Sequence, residues 1–157
     1  MSLKLEVNKN YKNEIHLKKD IHSEVEEISV FHSKIMNQQT PLIKLPNLAR
    51  SLGIKELLIK DESHRFGLNA FKALGASYAM SRQITNNPGI KTFCTATDGN
   101  HGRAVAWMAK KLNKKAIIYM PKGTISARVS AIESEGAKVI VIDKSYDDAV
   151  EMASKDS

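Results

Sequence analysis

The chain has 157 residues, of which 42% are hydrophobic and 26% charged, so it is long enough for one ordinary globular domain and an arm. No apolar run approaches the ~20 residues that cross a bilayer, and the polar N-terminus lacks the apolar stretch of a signal peptide. With Cys94 as the only cysteine, the sequence therefore predicts a cytoplasmic protein without an internal disulfide or a membrane partner. The net charge of +7 indicates anionic partners, but dispersed lysines and an aromatic content of 6% argue against nucleic acid.

Residues 1–35 are predicted to form a polar N-terminal arm followed by an amphipathic helix. Ile21, Val25, Ile28 and Ile35 recur there at helical spacing. After Pro41, the pattern favours a short helix that ends at Gly53 and then a strand in "KELLIKDE".

Lys72 lies near the start of the next predicted helix. Asn69 is the expected N-cap, which places Lys72 at about the third helical position. Free N–H groups make this end of a helix partly positive, so the position favours a neutral amine of the kind that forms Schiff bases. The alternative is a lysine whose stem covers apolar surface while its amine stays in water.

The second half of the chain alternates strands and helices. Three strand patterns are separated by helical ones over short connections, and a last helical pattern follows: "KTFCTA", "KAIIYM" and "AKVIVID" are the strands. This alternation predicts an α/β fold with an open parallel sheet, flanking helices and right-handed crossovers.

The turn "TATDGNHGR" joins the first of these strands to its helix. In open α/β sheets, ligands bind at the carboxyl ends of strands, and a helix N-terminus there presents N–H groups to an anion. The turn therefore predicts a site for a carboxylate or a phosphate. Two alternatives stay open: Asp98 as a simple N-cap, and Asn100 as a turn residue with positive φ.

The other reactive residue types predict no further site. The five histidines form no H-x-x-x-H pair and the chain has one cysteine, so we expect no metal. Cys94 lies within a strand pattern, which favours a structural role over a nucleophilic one.

Two segments, "KDESHRFGLNAFKALGASYA" and "TATDGNHGRAVAWMAKKLNKKAIIYMPKG", closely resemble the diaminopropionate ammonia-lyases. These enzymes belong to the tryptophan synthase β-like, fold type II family that uses pyridoxal 5'-phosphate. The likeness runs from about Phe31 to Asp143. It implies a small domain of that fold over residues 86–157, preceded by the start of a large domain over residues 36–85.

The resemblance also implies a role for each matching residue. Lys72 would hold the cofactor as a Schiff base, Phe71 would pack near its ring, and Asn100 would hydrogen-bond its phenolic oxygen. Lys72 or Asp98 would remove the α-proton of the substrate. The carboxylate of the substrate would be held by the amides of Thr97, Asp98, Gly99, Asn100 and His101.

The implied reaction is α,β-elimination of 2,3-diaminopropionate to pyruvate and ammonia, in a homo-oligomeric enzyme. Dehydratases of the family usually have serine at the position of Asp98, and a carboxylate there favours a substrate with a second amine. Family members are considerably longer than this chain, and it lacks their glycine-rich phosphate loop. Three readings follow: a lyase, with serine or threonine dehydration as a variant activity; an inactive truncated fragment; and a basic nucleic-acid-binding module.

Overall fold

The structure is a computed structural model that describes residues 20–35 and 38–156, so the prediction of a polar arm, which falls almost entirely on residues 1–19, lies outside the described residues. Six helices are present in the described part: α1 (Asp20–Lys34), α2 (Pro46–Ser51), α3 (Lys72–Asn86), α4 (Asn100–Lys111), α5 (Ser126–Glu133) and α6 (Tyr146–Lys155). The strands are β1 (Leu42–Lys44), β2 (Leu58–Lys60), β3 (Thr92–Ala96), β4 (Lys115–Pro121) and β5 (Lys138–Ile142), and a 3-10 helix spans Glu62–Gly67. No helix among these residues is long and apolar enough to cross a membrane.

The predicted parallel sheet is confirmed. It has three strands in the order β3–β4–β5, with both pairs parallel. The central strand β4 buries both of its faces, since Ile118 and Met120 are completely buried on one side and Tyr119 is buried on the other. Such a strand needs helices on both faces of the sheet. Separately, β1 and β2 form a small antiparallel ribbon that the sequence did not predict as a second sheet.

Two apolar clusters occupy the two faces of the sheet. One contains the buried sides of α3 and α4, including Ala73 and Ala104, together with Ile118 from β4. The other joins Tyr119 to Ala149 of α6. The sheet is therefore the middle of three layers, and α3 is packed against α4 in the first of them.

Helix α1 forms where the sequence predicts it, but different residues hold it in place. Val25, part of the predicted apolar stripe, is 57% exposed. The contact with α3 is instead made by Phe31, whose ring meets Tyr78 edge-on at 5.6 Å, and by the buried His32, whose Nε2 lies 2.9 Å from the carbonyl oxygen of Leu74. Helical spacing shows which residues share a face, and the available partner decides which of them become buried.

Candidate active site

An open cleft of about 480 Å³ lies at the carboxyl end of β3. This volume is within the usual range for small-molecule sites, roughly 300–1,000 Å³. The lining residues come from four separate parts of the chain: Lys72, Thr97, Asp98, Gly99, Asn100, His101, Arg128 and Tyr146. The structure thus brings Lys72 together with the whole predicted anion-binding turn, whereas Phe71 is exposed beside Lys72 and does not line the cleft.

Lys72 lies in the first turn of α3, as predicted, but the predicted N-cap is wrong. The helix begins at Lys72 itself, with Phe71 at the N-cap position. Asn69 adopts a left-handed conformation with a φ of 57° and lies in the turn that precedes the helix. Asn69 therefore lies two residues before the N-cap, outside the helix. The Lys72 amine lies 5.1 Å from the centre of the Phe71 ring.

A buried ion pair anchors the loop that precedes Lys72. Arg65 is buried and donates from Nε to Glu62 Oε2 at 2.8 Å and from Nη1 to the carbonyl of Gln38 at 2.8 Å. Hydrogen bonds from Arg65 and then from Thr40 lower the pKa of Glu62 to about 2. Because Thr40 also donates to Glu62, these bonds attach the loop to the segment just before β1.

A second contact fixes the same loop against α4. Phe66 has a φ of 52°, a strained value for a bulky side chain, and its ring lies 4.9 Å from that of Trp107. Arg103 donates to Glu135 at 3.1 Å and to the carbonyl of Leu68 at 3.5 Å. Because Trp107 and Arg103 both belong to α4, these contacts set the position of Lys72 relative to the turn at the start of α4.

Thr97 holds the turn at the start of α4. Its buried hydroxyl accepts hydrogen bonds from the amides of Gly99 at 3.0 Å and Gly102 at 3.3 Å. Both structural alternatives for the turn are therefore wrong. The N-cap is Gly99 rather than Asp98, and Asn100 is the first residue of the helix and has no positive φ.

The turn leaves three N–H groups free to meet a ligand. The amide of Thr97 donates to the carbonyl of Tyr119 at 3.0 Å, and that of Gly99 is used by Thr97. The amides of Asp98, Asn100 and His101 have no acceptor within the described residues. The Asp98 side chain is 76% exposed. The free amides can therefore bind an anion, while the adjacent Asp98 carboxylate can bind a cationic group.

Two cleft residues were missed by the sequence analysis. Arg128 follows β4 and donates to the carbonyl of Asp98 at 3.1 Å, and Tyr146 is the first residue of α6, after β5. Both lie in the first turn of the helix that follows a parallel strand, α5 for Arg128 and α6 for Tyr146. Since the carboxyl ends of parallel strands share one edge of the sheet, the strand order alone was a signal that could have found them.

The surroundings of His101 in the cleft lower the pKa of its ring. Burial of its ring and, secondarily, the positive charge of Lys72 lower its pKa below the usual 6.5. At neutral pH the lowered pKa favours the uncharged form of the ring.

Comparison with known proteins agrees with this geometry. Residues 35–157 match the family model described as "Pyridoxal-phosphate dependent enzyme". The chain belongs to this family. It is 48% identical over 140 residues to a diaminopropionate ammonia-lyase from Escherichia coli strain K12 and 45% identical over 149 residues to one from Salmonella typhimurium strain LT2. These matches cover 78% and 81% of this chain but only 35% and 37% of the relatives, so the chain spans about a third of their length.

The solved structures of such a lyase share the fold. The diaminopropionate ammonia-lyase from Escherichia coli in complex with an aminoacrylate-PLP azomethine reaction intermediate superposes with a TM-score of 0.82 at 45% identity. The match covers 85% of this chain and 38% of that one. The apo form gives a TM-score of 0.81 at 44% identity, over 85% of this chain and 42% of that one.

The chemistry of the cleft fits part of the family's cofactor. Pyridoxal phosphate has an aldehyde that combines with a primary amine and a phenolic oxygen that accepts hydrogen bonds. Lys72 carries a primary amine and Asn100 carries a neutral side-chain donor, and both line the same cleft. The donor set therefore suits the reactive end of the cofactor.

Proposed function

We propose that this chain carries the lysine-bearing part of an active site that eliminates ammonia from the β-carbon of 2,3-diaminopropionate, after which hydrolysis by water yields pyruvate and a second ammonia. The observation that carries the proposal is that the Lys72 amine and the Asp98 carboxylate line one cleft, together with the free amides of Asn100 and His101. Relatives at 45–48% identity with the name diaminopropionate ammonia-lyase support the choice of substrate.

Two cleft residues would hold the cofactor: the amine of Lys72 is the nucleophile for its aldehyde carbon, and the Asn100 side chain donates to its ring oxygen. Phe71 lies outside the lining of the cleft, and its packing near the cofactor ring is proposed from the resemblance and from the 5.1 Å between its ring and the Lys72 amine. When bound, the cofactor supplies an electron sink for the pair left behind when the α-proton departs.

The turn would hold the substrate. The amides of Asp98, Asn100 and His101 receive its carboxylate at the N-terminus of α4, while Thr97 and Gly99 shape the turn through their hydrogen bond. Lys72 or Asp98 accepts the α-proton, depending on which side of the substrate carries it. The Asp98 carboxylate also attracts the second amine of the substrate, which leaves from the β-carbon as ammonia.

The same proposal includes the cellular setting and the assembly. The enzyme works in the cytoplasm as a homo-oligomer, with residues 36–85 in a large domain and residues 86–157 in a small one. Self-association is supported by the β1–β2 ribbon, where large apolar side chains are 41–59% exposed: Leu42, Ile43, Leu58 and Ile59. A two-stranded ribbon with apolar residues in water is not expected to be stable without a covering partner.

Trapping the cofactor lysine tests the assignment. The chain is mixed with pyridoxal phosphate, reduced with borohydride and examined by intact mass and peptide mapping. We expect one adduct, at Lys72, that is lost in Lys72→Ala and kept in Lys122→Ala, whose lysine is exposed and pairs with Asp143. Equal labelling of several lysines in wild type and Lys72→Ala would overturn the assignment of Lys72.

A pyruvate assay then tests the reaction. We expect release from 2,3-diaminopropionate in preference to serine, and Asp98→Ser is expected to shift that preference toward serine. Preference for serine by the wild type would favour the dehydratase alternative. A Lys72 adduct without pyruvate from either substrate would favour the inactive fragment, and tight DNA binding that weakens steeply with salt would favour the nucleic-acid module.

A further inference from the structure

The side chain of Arg128 lies across the Asp98–Gly99 turn. Gly99 is buried although it lies beside an open cleft, and a Cβ built on it would come within 3.3 Å of Arg128 Cδ and 3.6 Å of its Nε. The missing side chain at Gly99 is therefore what gives the arginine stem room to cover the turn. This contact joins the start of α5 to the start of α4.

Arg128 also bonds to the turn. Its Nη1 donates to the carbonyl oxygen of Asp98 at 3.1 Å, and the same atom lies 3.9 Å from Asp98 Oδ2. The carboxylate contact is weak, because both side chains are more than half exposed and water screens the charges. The bond to the carbonyl is the firmer one, since a charged donor strengthens it and the carbonyl belongs to the backbone.

We propose that Arg128 is a positioning residue for the Asp98 turn: its guanidinium holds the Asp98 carbonyl and so sets the directions of the Asp98 carboxylate and the neighbouring free amides. On the buried side of the same turn, the Thr97 hydroxyl holds the amides of Gly99 and Gly102. On the solvent side, Arg128 holds the carbonyl of Asp98. The effect on substrate recognition rests on the proposed function, whereas the fixation of the turn does not.

Backbone order parameters from ¹⁵N relaxation test the fixation without any ligand. In wild type we expect values of about 0.85 at Asp98, Gly99 and Asn100, and in Arg128→Ala values below about 0.6. Arg128→Lys keeps a charged donor and is expected to recover part of the loss. Arg50→Ala is the matched control, because Arg50 is an exposed arginine of α2 whose 3.5 Å bond to Asn47 is remote from the turn.

An unchanged, rigid turn in Arg128→Ala would overturn the proposal. If that variant does not fold, Arg128→Met replaces it, since methionine keeps an apolar stem over Gly99 but removes the donor to the Asp98 carbonyl. The turn is then expected to loosen as in Arg128→Ala, and a rigid turn again contradicts the proposal.

A ligand titration separates this inference from the proposed function. Amide shifts caused by 2,3-diaminopropionate in the chain loaded with pyridoxal phosphate should show an affinity about tenfold lower in Arg128→Ala. If the affinity falls while the turn stays rigid, Arg128 contacts the ligand directly and its positioning role is refuted. If wild type forms no Lys72 adduct, the proposed function fails, and the order parameters still decide the role of Arg128.

Discussion

Gly102 is the point of closest approach between α4 and the sheet, and Gly102→Ala tests that packing. The added Cβ would lie 2.3 Å from Thr97 Cγ2, 2.8 Å from Ile118 Cγ2 and 3.2 Å from Ile132 Cδ1. The first two distances are below any normal carbon–carbon contact, and Ile118 is completely buried, so α4 or the strands must move.

The expected cost follows from two opposing effects. Overpacking a filled core costs about 1–3 kcal/mol, and replacing a helical glycine by alanine returns at most about 1 kcal/mol. The first is larger here because two of the contacts are severe. Gly102→Ala is therefore expected to lower the free energy of unfolding by about 1–2 kcal/mol, measured by urea denaturation with an unchanged m-value.

Gly75→Ala provides the matched control. Gly75 is a helical glycine of α3, and a Cβ on it meets nothing within 4 Å. The same substitution there is expected to raise the free energy of unfolding by about 0.5–1 kcal/mol. If Gly102→Ala is as stable as wild type while Gly75→Ala behaves as expected, the close packing of α4 on the sheet is refuted.

Three further predictions concern the site and its supports. Thr97→Val keeps the shape of the side chain but removes the acceptor for two turn amides, and is expected to lower the free energy of unfolding by about 1–2 kcal/mol. Stability of the wild type should fall as pH drops from about 4.5 toward about 2, because Glu62 has a depressed pKa and loses its bonds to Arg65 on protonation; Glu62→Gln should flatten this part of a urea-midpoint profile. Lys72→Ala should raise the pKa of His101 toward 6.5, measured by NMR titration of the ring.

Each of these has an outcome that contradicts it. Thr97→Val with wild-type stability would mean that the hydroxyl does not hold the turn. An equally steep acid profile in Glu62→Gln would assign the acid loss to other carboxylates. For His101, Lys111→Ala is the control, since Lys111 lies over Trp107 at 5.0 Å. An equal change in the His101 pKa in both lysine variants would contradict its proximity to Lys72.

The sequence was sufficient wherever neighbouring residues carry the information. Alternating strand and helix patterns predicted the parallel α/β sheet, and the position of "DGNHG" after a strand placed it at the ligand-binding edge. The last helical pattern is confirmed as α6, which starts with a reciprocal cap between Ser145 and Asp148, only three residues apart. Lys72 does lie in the first turn of its helix, although the N-cap from which that position was predicted, Asn69, is wrong.

Choices among distant partners were decided by the tertiary structure. Thr97, rather than Asp98, holds the turn amides because the end of β3 brings its hydroxyl beneath Gly99 and Gly102. Arg128 and Tyr146 join the cleft because parallel strands deliver the starts of α5 and α6 to the same edge. Local periodicity depends on residues a few positions apart, whereas a hydrogen-bond partner depends on which distant segment packs there, and only the assembled sheet determines that.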